Sequence, residues 1–221
     1  MTGLSRRRIL GSLAAGSVAL AAPSIVRAGA GSARVVIVGG GFGGATAARY
    51  LKMRAPQLQV TLIEPAKRFY TCPFSNLYLA GLRSWESLGH GYDGLRGAGI
   101  ELVHAQAEDV DTARRTVRLS TGQTLGWDRL VLSPGVDMRW NALEGYDEAA
   151  SLLAPHAWKA GPQTQLLRRQ REAMEGGGTF VMVIPENPFR CPPGPYERAA
   201  MLAHYFSRHN PRAKILLLDA K

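Results

Sequence analysis

The sequence predicts an α/β fold: a Rossmann-like dinucleotide-binding domain followed by the opening of a second βαβ domain of the same type. Three observations predict it. Residues 35–44 read VVIVGGGFGG, an apolar run that breaks into glycines. A second apolar run, at 60–63, ends on Glu64, twenty residues past Gly44. Further on, TFVMVI at 179–184 and ILLLD at 215–219 flank a helical stretch.

The chain opens with Ser5-Arg6-Arg7-Arg8-Ile9-Leu10, continues with a weakly apolar stretch to Val26, and reaches the small residue Ala28 just after Arg27. A charged region, an apolar region and a small-residue site make an export signal over 1–28. The paired arginines resemble a twin-arginine signal, which carries proteins already folded. An uncleaved anchor is the alternative, but a span needs about 20 apolar residues. Gly11, Ser12, Gly16, Ser17 and Pro23 dilute this stretch, so no stable membrane span is expected. Four arginines and no acid fall in 1–28, so the net charge of +10 falls to +6 without them. No aromatic-and-basic cluster accompanies that charge, which argues against nucleic acid as a partner.

Val35 to Val38 suit a buried parallel strand, being apolar and mostly β-branched. Gly39, Gly41 and Gly44 occupy the G-x-G-x-x-G positions, and 45–54 reads as the following helix. Gly39 permits the tight turn, Gly41 lets the backbone approach a pyrophosphate, and Gly44 lets helix and strand pack closely. The helix N-terminus offers free N–H groups to phosphates. Glu64 ends the second strand, where a carboxylate accepts from a ribose diol. Strand, glycine turn, helix, strand and acid together point to a bound dinucleotide; a glycine-rich turn in a nucleotide-free α/β protein is the bland alternative.

Pro65 and Pro73 bracket a loop that carries Phe69, Tyr70, Cys72 and Phe74. It leaves the carboxyl edge of the second strand, the edge where ligands bind, so its aromatics are candidates to line a pocket or to pack beneath the loop. A short helix is expected at 77–82, a helical turn at 92–96 and a strand at 100–104. Alternating residues around 110–127 predict an antiparallel meander. It leads into a buried strand, DRLVLS at 128–133, and the turn Pro134-Gly135. Leucines 166 and 167 mark an amphipathic helix over 163–175, with Arg168-Arg169-Gln170-Arg171 as a solvated face.

TFVMVI reads as another buried strand. A second glycine fingerprint would belong after it in a protein that also binds a nicotinamide nucleotide. Instead Cys191 sits among Pro188, Pro192, Pro193 and Pro195, and prolines forbid that turn. The helix at 196–208 and the strand at 214–219 keep the βαβ frame. The phosphate turn is exchanged for a cysteine loop, which suggests a redox or nucleophilic thiol. The expected units are therefore an export signal at 1–28, a dinucleotide domain at 32–160 and an incomplete second βαβ domain at 161–221. Because 215–219 would lie in mid-sheet, the chain is expected to be the first half of a longer product or a truncated reading frame.

The segments GGGFGGATAARYLK, VTLIEP, YTCPFSNLYLAG, HGYDGLR, LEGY, PHAWKAG and FRCPPGPYERA resemble the flavoprotein subunit of flavocytochrome c sulfide dehydrogenase. The resemblance covers essentially all of 32–221, as the N-terminal half of that subunit. It implies a two-dinucleotide-domain flavoprotein with FAD held by Gly39, Gly41, Gly44, Glu64 and Gly135. In that family the cysteine at the place of Cys72 is joined through sulfur to the flavin ring. The cysteine at the place of Cys191 is half of a redox-active disulfide, whose partner lies in the C-terminal half. The resemblance further implies a periplasmic enzyme that oxidises sulfide and passes electrons to a separate c-type cytochrome subunit. No C-x-x-C-H occurs here, and His90, His104, His156, His204 and His209 show no metal spacing, so any haem c belongs to another polypeptide and no metal site is expected. Three alternatives remain: a sulfide:quinone reductase-like flavoenzyme, a truncated non-catalytic FAD-binding fragment, and, for the cysteines, a structural Cys72–Cys191 disulfide.

Overall fold

A computed structural model describes residues 32–220; the export signal expected at 1–28 lies outside them. The first half is built on a parallel sheet of β1 (Arg34–Val38), β2 (Gln59–Ile63), β5 (Glu101–Val103) and β9 (Arg129–Leu132), in the order β5-β2-β1-β9. Val38 pairs with Ile63 on one side and Leu132 on the other. The chain leaves β1 towards β2 and returns at β9 on its other flank. The carboxyl end of β1 is thus the topological switch point, where open α/β sheets bind ligands.

Alternation along β1 covers both faces. Val35 and Ile37 join Ala48 of α1 (Phe42–Arg54), together with Val60, Leu62, Tyr92 and Ile100. Val36 turns the other way, with Ile63, Ala105, Val117 and Leu119. Val117 and Leu119 belong to a separate antiparallel sheet of β6 (Ala107–Asp111), β7 (Thr116–Leu119) and β8 (Thr124–Gly126). The expected meander therefore forms the layer that closes the second face. Each fully buried branched side chain here, Ile37 and Leu62 among them, contributes about 1.5–3 kcal/mol of burial.

A two-stranded ribbon, β3 (Phe69–Tyr70) with β4 (Gly89–His90), carries the loop that leads to Cys72. Helix α2 spans Ser75–Leu79, earlier than the expected 77–82. Helix α3 (Asp93–Gly97) fills the expected helical turn. Helix α4 (Pro162–Glu172) then docks on the end of α2: Arg168 donates to the Tyr78 carbonyl at 3.2 Å and Arg171 to the Leu79 carbonyl at 2.6 Å. Cations belong at exposed helix carbonyls. Arg171 is only 3% exposed and lies 3.6 Å over the Tyr205 ring, so the expected solvated face is corrected at this residue: its stem and fork are core.

Strands β10 (Thr179–Ile184) and β11 (Lys214–Asp219) pair in parallel across α5 (Gly194–His209). Two strands expected to be buried are not wholly so. Leu132 of β9 is 59% exposed, and Val181 and Val183 of β10 are 51% and 60% exposed. Among the described residues α5 covers one face of the β10–β11 pair, through contacts such as Phe180 with Phe206, and β10 alternates between exposed and covered positions.

Candidate functional site

At the switch point the glycine turn is fixed by main chain. A Cβ on Gly39 would lie 2.0 Å from the Ser133 carbonyl oxygen, and φ there is 99°. A Cβ on Gly44 would lie 1.8 Å from the Gly39 carbonyl oxygen. Both positions therefore require glycine for packing within the chain. Gly41 differs: a Cβ there would meet only Phe69, at 3.6 Å. Its missing side chain leaves open space, as the cradle for an approaching phosphate requires. Gly41 is the N-cap of α1, makes no side-chain cap, and no acid occupies the first turn. The N–H groups and dipole of that helix end are left for an anion.

Glu64 sits beside the turn, half-buried. One carboxylate oxygen accepts from the Gly40 N–H at 2.7 Å and the other from the Ala66 N–H at 2.9 Å. Each oxygen keeps a further acceptor site, so the carboxylate can brace the turn and still receive a ribose hydroxyl. The Tyr92 hydroxyl donates to the Gly40 carbonyl at 3.1 Å. Burial, then the negative charge of Glu64, pushes this phenol up to about 12. Gly135 follows β9 with φ 78° and open space around it. Of the loop aromatics, Phe69 edges Phe42 beside Gly41, Tyr70 stacks on Trp85, and Phe74 lies under Arg83; only Phe69 borders the turn.

The second locus brings the two cysteines together. Cys72, Asn76, Trp158, Arg190, Cys191 and Arg198 line one cleft of about 70 Å³, joined by Pro73, Ser75, Gly194 and Glu197. Neither cysteine is in a disulfide, so the structural pairing of Cys72 with Cys191 is not formed. The half-buried Cys72 Sγ donates to the Trp158 carbonyl at 2.9 Å. Cys191 is exposed and has φ 62°; a left-handed non-glycine residue costs about 1–3 kcal/mol. A turn closed by the Gly194 N–H on the Cys191 carbonyl, at 2.8 Å, leads from it into α5. A Cβ on Gly194 would lie 2.7 Å from the Trp158 ring and 3.2 Å from Cys191 Sγ. Glycine here lets indole and sulfur close on the helix start. The cleft is well below the roughly 300–1,000 Å³ of cofactor pockets. It suits a species of a few atoms and does not itself enclose a tricyclic ring.

Arg198, only 5% exposed, ties this cleft together. Its Nε donates to Asn76 Oδ1 at 3.0 Å, and its terminal nitrogens donate to the His156 and Ala157 carbonyls at 3.1 and 2.8 Å. Trp158 lies against the guanidinium, 4.6 Å from ring centre to Cζ. Burial pulls Arg198 down to about 10, while Cys72, Glu197 and Cys191 push it back up, so it stays charged at neutral pH. The same buried environment and this cation push His156 down. Asn76, Trp158, Gly194 and Arg198 lie within the quoted segments, but their roles escape motif reading, because nothing in local spacing marks residues such as Asn76 and Arg198 that meet across 122 positions. Among the described residues no group of three or more His, Cys, Asp or Glu side chains can hold a metal, and no helix is long and apolar enough to cross a membrane.

Comparison with known proteins bears on the family and the fold. Residues 33–180 match the family model of pyridine nucleotide-disulphide oxidoreductases. Residues 164–221 match that of the central part of the sulfide dehydrogenase [flavocytochrome c] flavoprotein chain. The flavoprotein chain of that name from Chlorobaculum thiosulfatiphilum is 61% identical over 46 residues, 21% of this chain and 96% of that sequence. A sulfide-quinone reductase from Aquifex aeolicus is 29% identical over 82% of this chain and 41% of its own length. The crystal structure of a sulfide:quinone oxidoreductase from the same species superposes with a TM-score of 0.68 at 24% identity, over 86% of this chain and 44% of that one. The chain thus spans about two fifths of the length of these sulfide:quinone relatives. It belongs to the pyridine nucleotide-disulphide oxidoreductase family, and within it to the flavoprotein chains of flavocytochrome c sulfide dehydrogenase.

Proposed function

We propose that this chain is the N-terminal part of a periplasmic flavoprotein that binds FAD, oxidises sulfide to sulfur or polysulfide, and delivers electrons to a c-type cytochrome subunit. The observation that carries the reading is the convergence of Cys72 and Cys191 on one small cleft beside a buried cation. On this reading Gly41 and the uncapped start of α1 receive the diphosphate, Glu64 the ribose, and Gly135 leaves open backbone for the cofactor. Cys72 would tether it through a thioether, which prevents loss after export by the twin-arginine route. Bound flavin would supply a two-electron acceptor able to release electrons singly to haem c on the partner polypeptide.

Cys191 would handle the sulfur. With Cys191 in a disulfide to a cysteine in the part of the relatives that this chain does not span, hydrosulfide attacks Cys191 Sγ and the S–S bond breaks. Cys191 is left as a persulfide and its former partner departs as a thiolate carrying the electron pair. The cleft admits a species of that size, and Trp158 lines it.

The test uses the complete protein and two variants. Flavin should stay with the acid-denatured polypeptide in wild type and wash out of Cys72→Ser. Sulfide should bleach the visible spectrum in wild type and fail to do so in Cys191→Ser, whose resting spectrum is retained. Equal loss of flavin from wild type and Cys72→Ser would remove the tether, and unchanged bleaching in Cys191→Ser would remove the sulfur role. The similarity to sulfide:quinone proteins over 82% of the chain favours a second reading, in which the electrons go to a quinone. Reduction of a soluble quinone but not of cytochrome c would select it.

A further inference from the structure

We propose that Arg198 makes the Cys72–Cys191 cleft an anion-recognition site, built to draw a small singly charged anion onto Cys191. A buried cation normally has a carboxylate partner, because desolvating it alone is costly. Among the described residues Arg198 has none within ion-pair distance: its three acceptors there are one side-chain amide and two backbone carbonyls, all neutral. Those bonds fix the plane of the guanidinium and leave a further N–H on each terminal nitrogen. The Trp158 ring packs against it, and the residue lines the same cleft as both sulfurs. The guanidinium itself is buried, and a fixed charge held out of water acts more strongly than one on an open surface. The cleft's 70 Å³ limits the ligand to a few atoms.

Other charged groups face the same space. Arg190 and Glu197, both exposed, line the cleft beside Arg198. His156 offers its carbonyl to Arg198, and Asp137 and Lys159 act on the His156 ring from beyond. Arg190 and Glu197 are opposite in sign and open to water, where screening is strong. Arg198 is the one of these cations that combines burial, fixed geometry and unspent donors. Cys72 Sγ is turned to the Trp158 carbonyl, which leaves Cys191 as the sulfur an incoming anion meets. The anion's identity as hydrosulfide rests on the proposed function; the site itself does not.

The test therefore uses neither sulfide nor flavin. In the full chain carrying Cys72→Ser, Cys191 is alkylated at low salt with iodoacetate, an anion, and with iodoacetamide, its neutral counterpart. The ratio of the two rates cancels the reactivity of the sulfur and reports attraction of negative charge. The ratio should be about tenfold higher in the folded chain than in the same chain in urea, a gain of about 1.4 kcal/mol. It should persist in Arg198→Lys and Arg190→Gln and collapse in Arg198→Gln. Equal ratios in Arg198→Lys and Arg198→Gln, or a collapse in Arg190→Gln alone, would overturn the proposal. Should Arg198→Gln not fold, a ratio in the unaltered fold no higher than in urea overturns it by itself.

Discussion

Tyr92 braces the glycine turn from outside the fingerprint. Its hydroxyl holds the Gly40 carbonyl, and a Cβ on Gly40 would press on that hydroxyl at 2.7 Å. Burial and Glu64 raise the phenol from 10.0 to about 12. A raised value means that the folded state resists ionisation. Stability from this group is intact below pH 10 and declines as pH climbs to about 12. Burial raises Tyr146 as well, so the late tyrosinate absorbance of the folded chain should be reduced, not abolished, in Tyr92→Phe. That variant should lose about 1 kcal/mol at neutral pH, read by urea unfolding, because the carbonyl loses its donor. At this scale the fingerprint glycines were legible, since the motif encodes both the backbone proximity that demands Gly39 and Gly44 and the open space left at Gly41. Tyr92 was legible only as part of a helical turn, because its partner Gly40 lies 52 positions away.

At the scale of elements, the strands read well from sequence because their apolar runs are short and bounded by turns. β10 and β11 begin and end where hydropathy says they should. Helix starts were less legible. α1 begins at Phe42, before Gly43 and Gly44, because close packing at the switch point outweighs the poor helix propensity of glycine. α5 begins at Gly194 rather than Tyr196, because Pro193 and Pro195 suit a first turn that needs no N–H donors. Gly194 is the sensitive point of this element. Gly194→Ala would drive a methyl to 2.7 Å from the Trp158 ring. It should lower stability by about 1–3 kcal/mol, seen as a lower urea midpoint, with the helical circular dichroism of the folded state kept.

Across the whole molecule, the parallel pair β10–β11 shows an apolar face. Val181 pairs with Leu216 and Val183 with Leu218, and these four are 47–60% exposed. Four neighbouring aliphatic side chains open to water should bind an environment-sensitive dye such as anilinonaphthalene sulfonate. The double variant Val181→Thr with Val183→Thr should cut that signal by more than half. Undiminished dye binding would place the exposed apolar surface elsewhere. Global convergence was the least legible property. Sequence put each cysteine loop at a carboxyl edge, but the contacts of α5 with α2, through Arg198 and Asn76, carry no periodic signature. The volume between the loops followed from those contacts, and it is smaller than a ring-binding pocket.

Gly194 also has an optical consequence. Because it carries no side chain, the Trp158 indole and the Cys191 sulfur both reach the same small volume at the start of α5. A sulfur so near an indole alters its emission when it gains or loses a proton or a bond. Alkylation of Cys191 is therefore expected to change the tryptophan emission of the folded chain, and that change should be lost in Trp158→Phe.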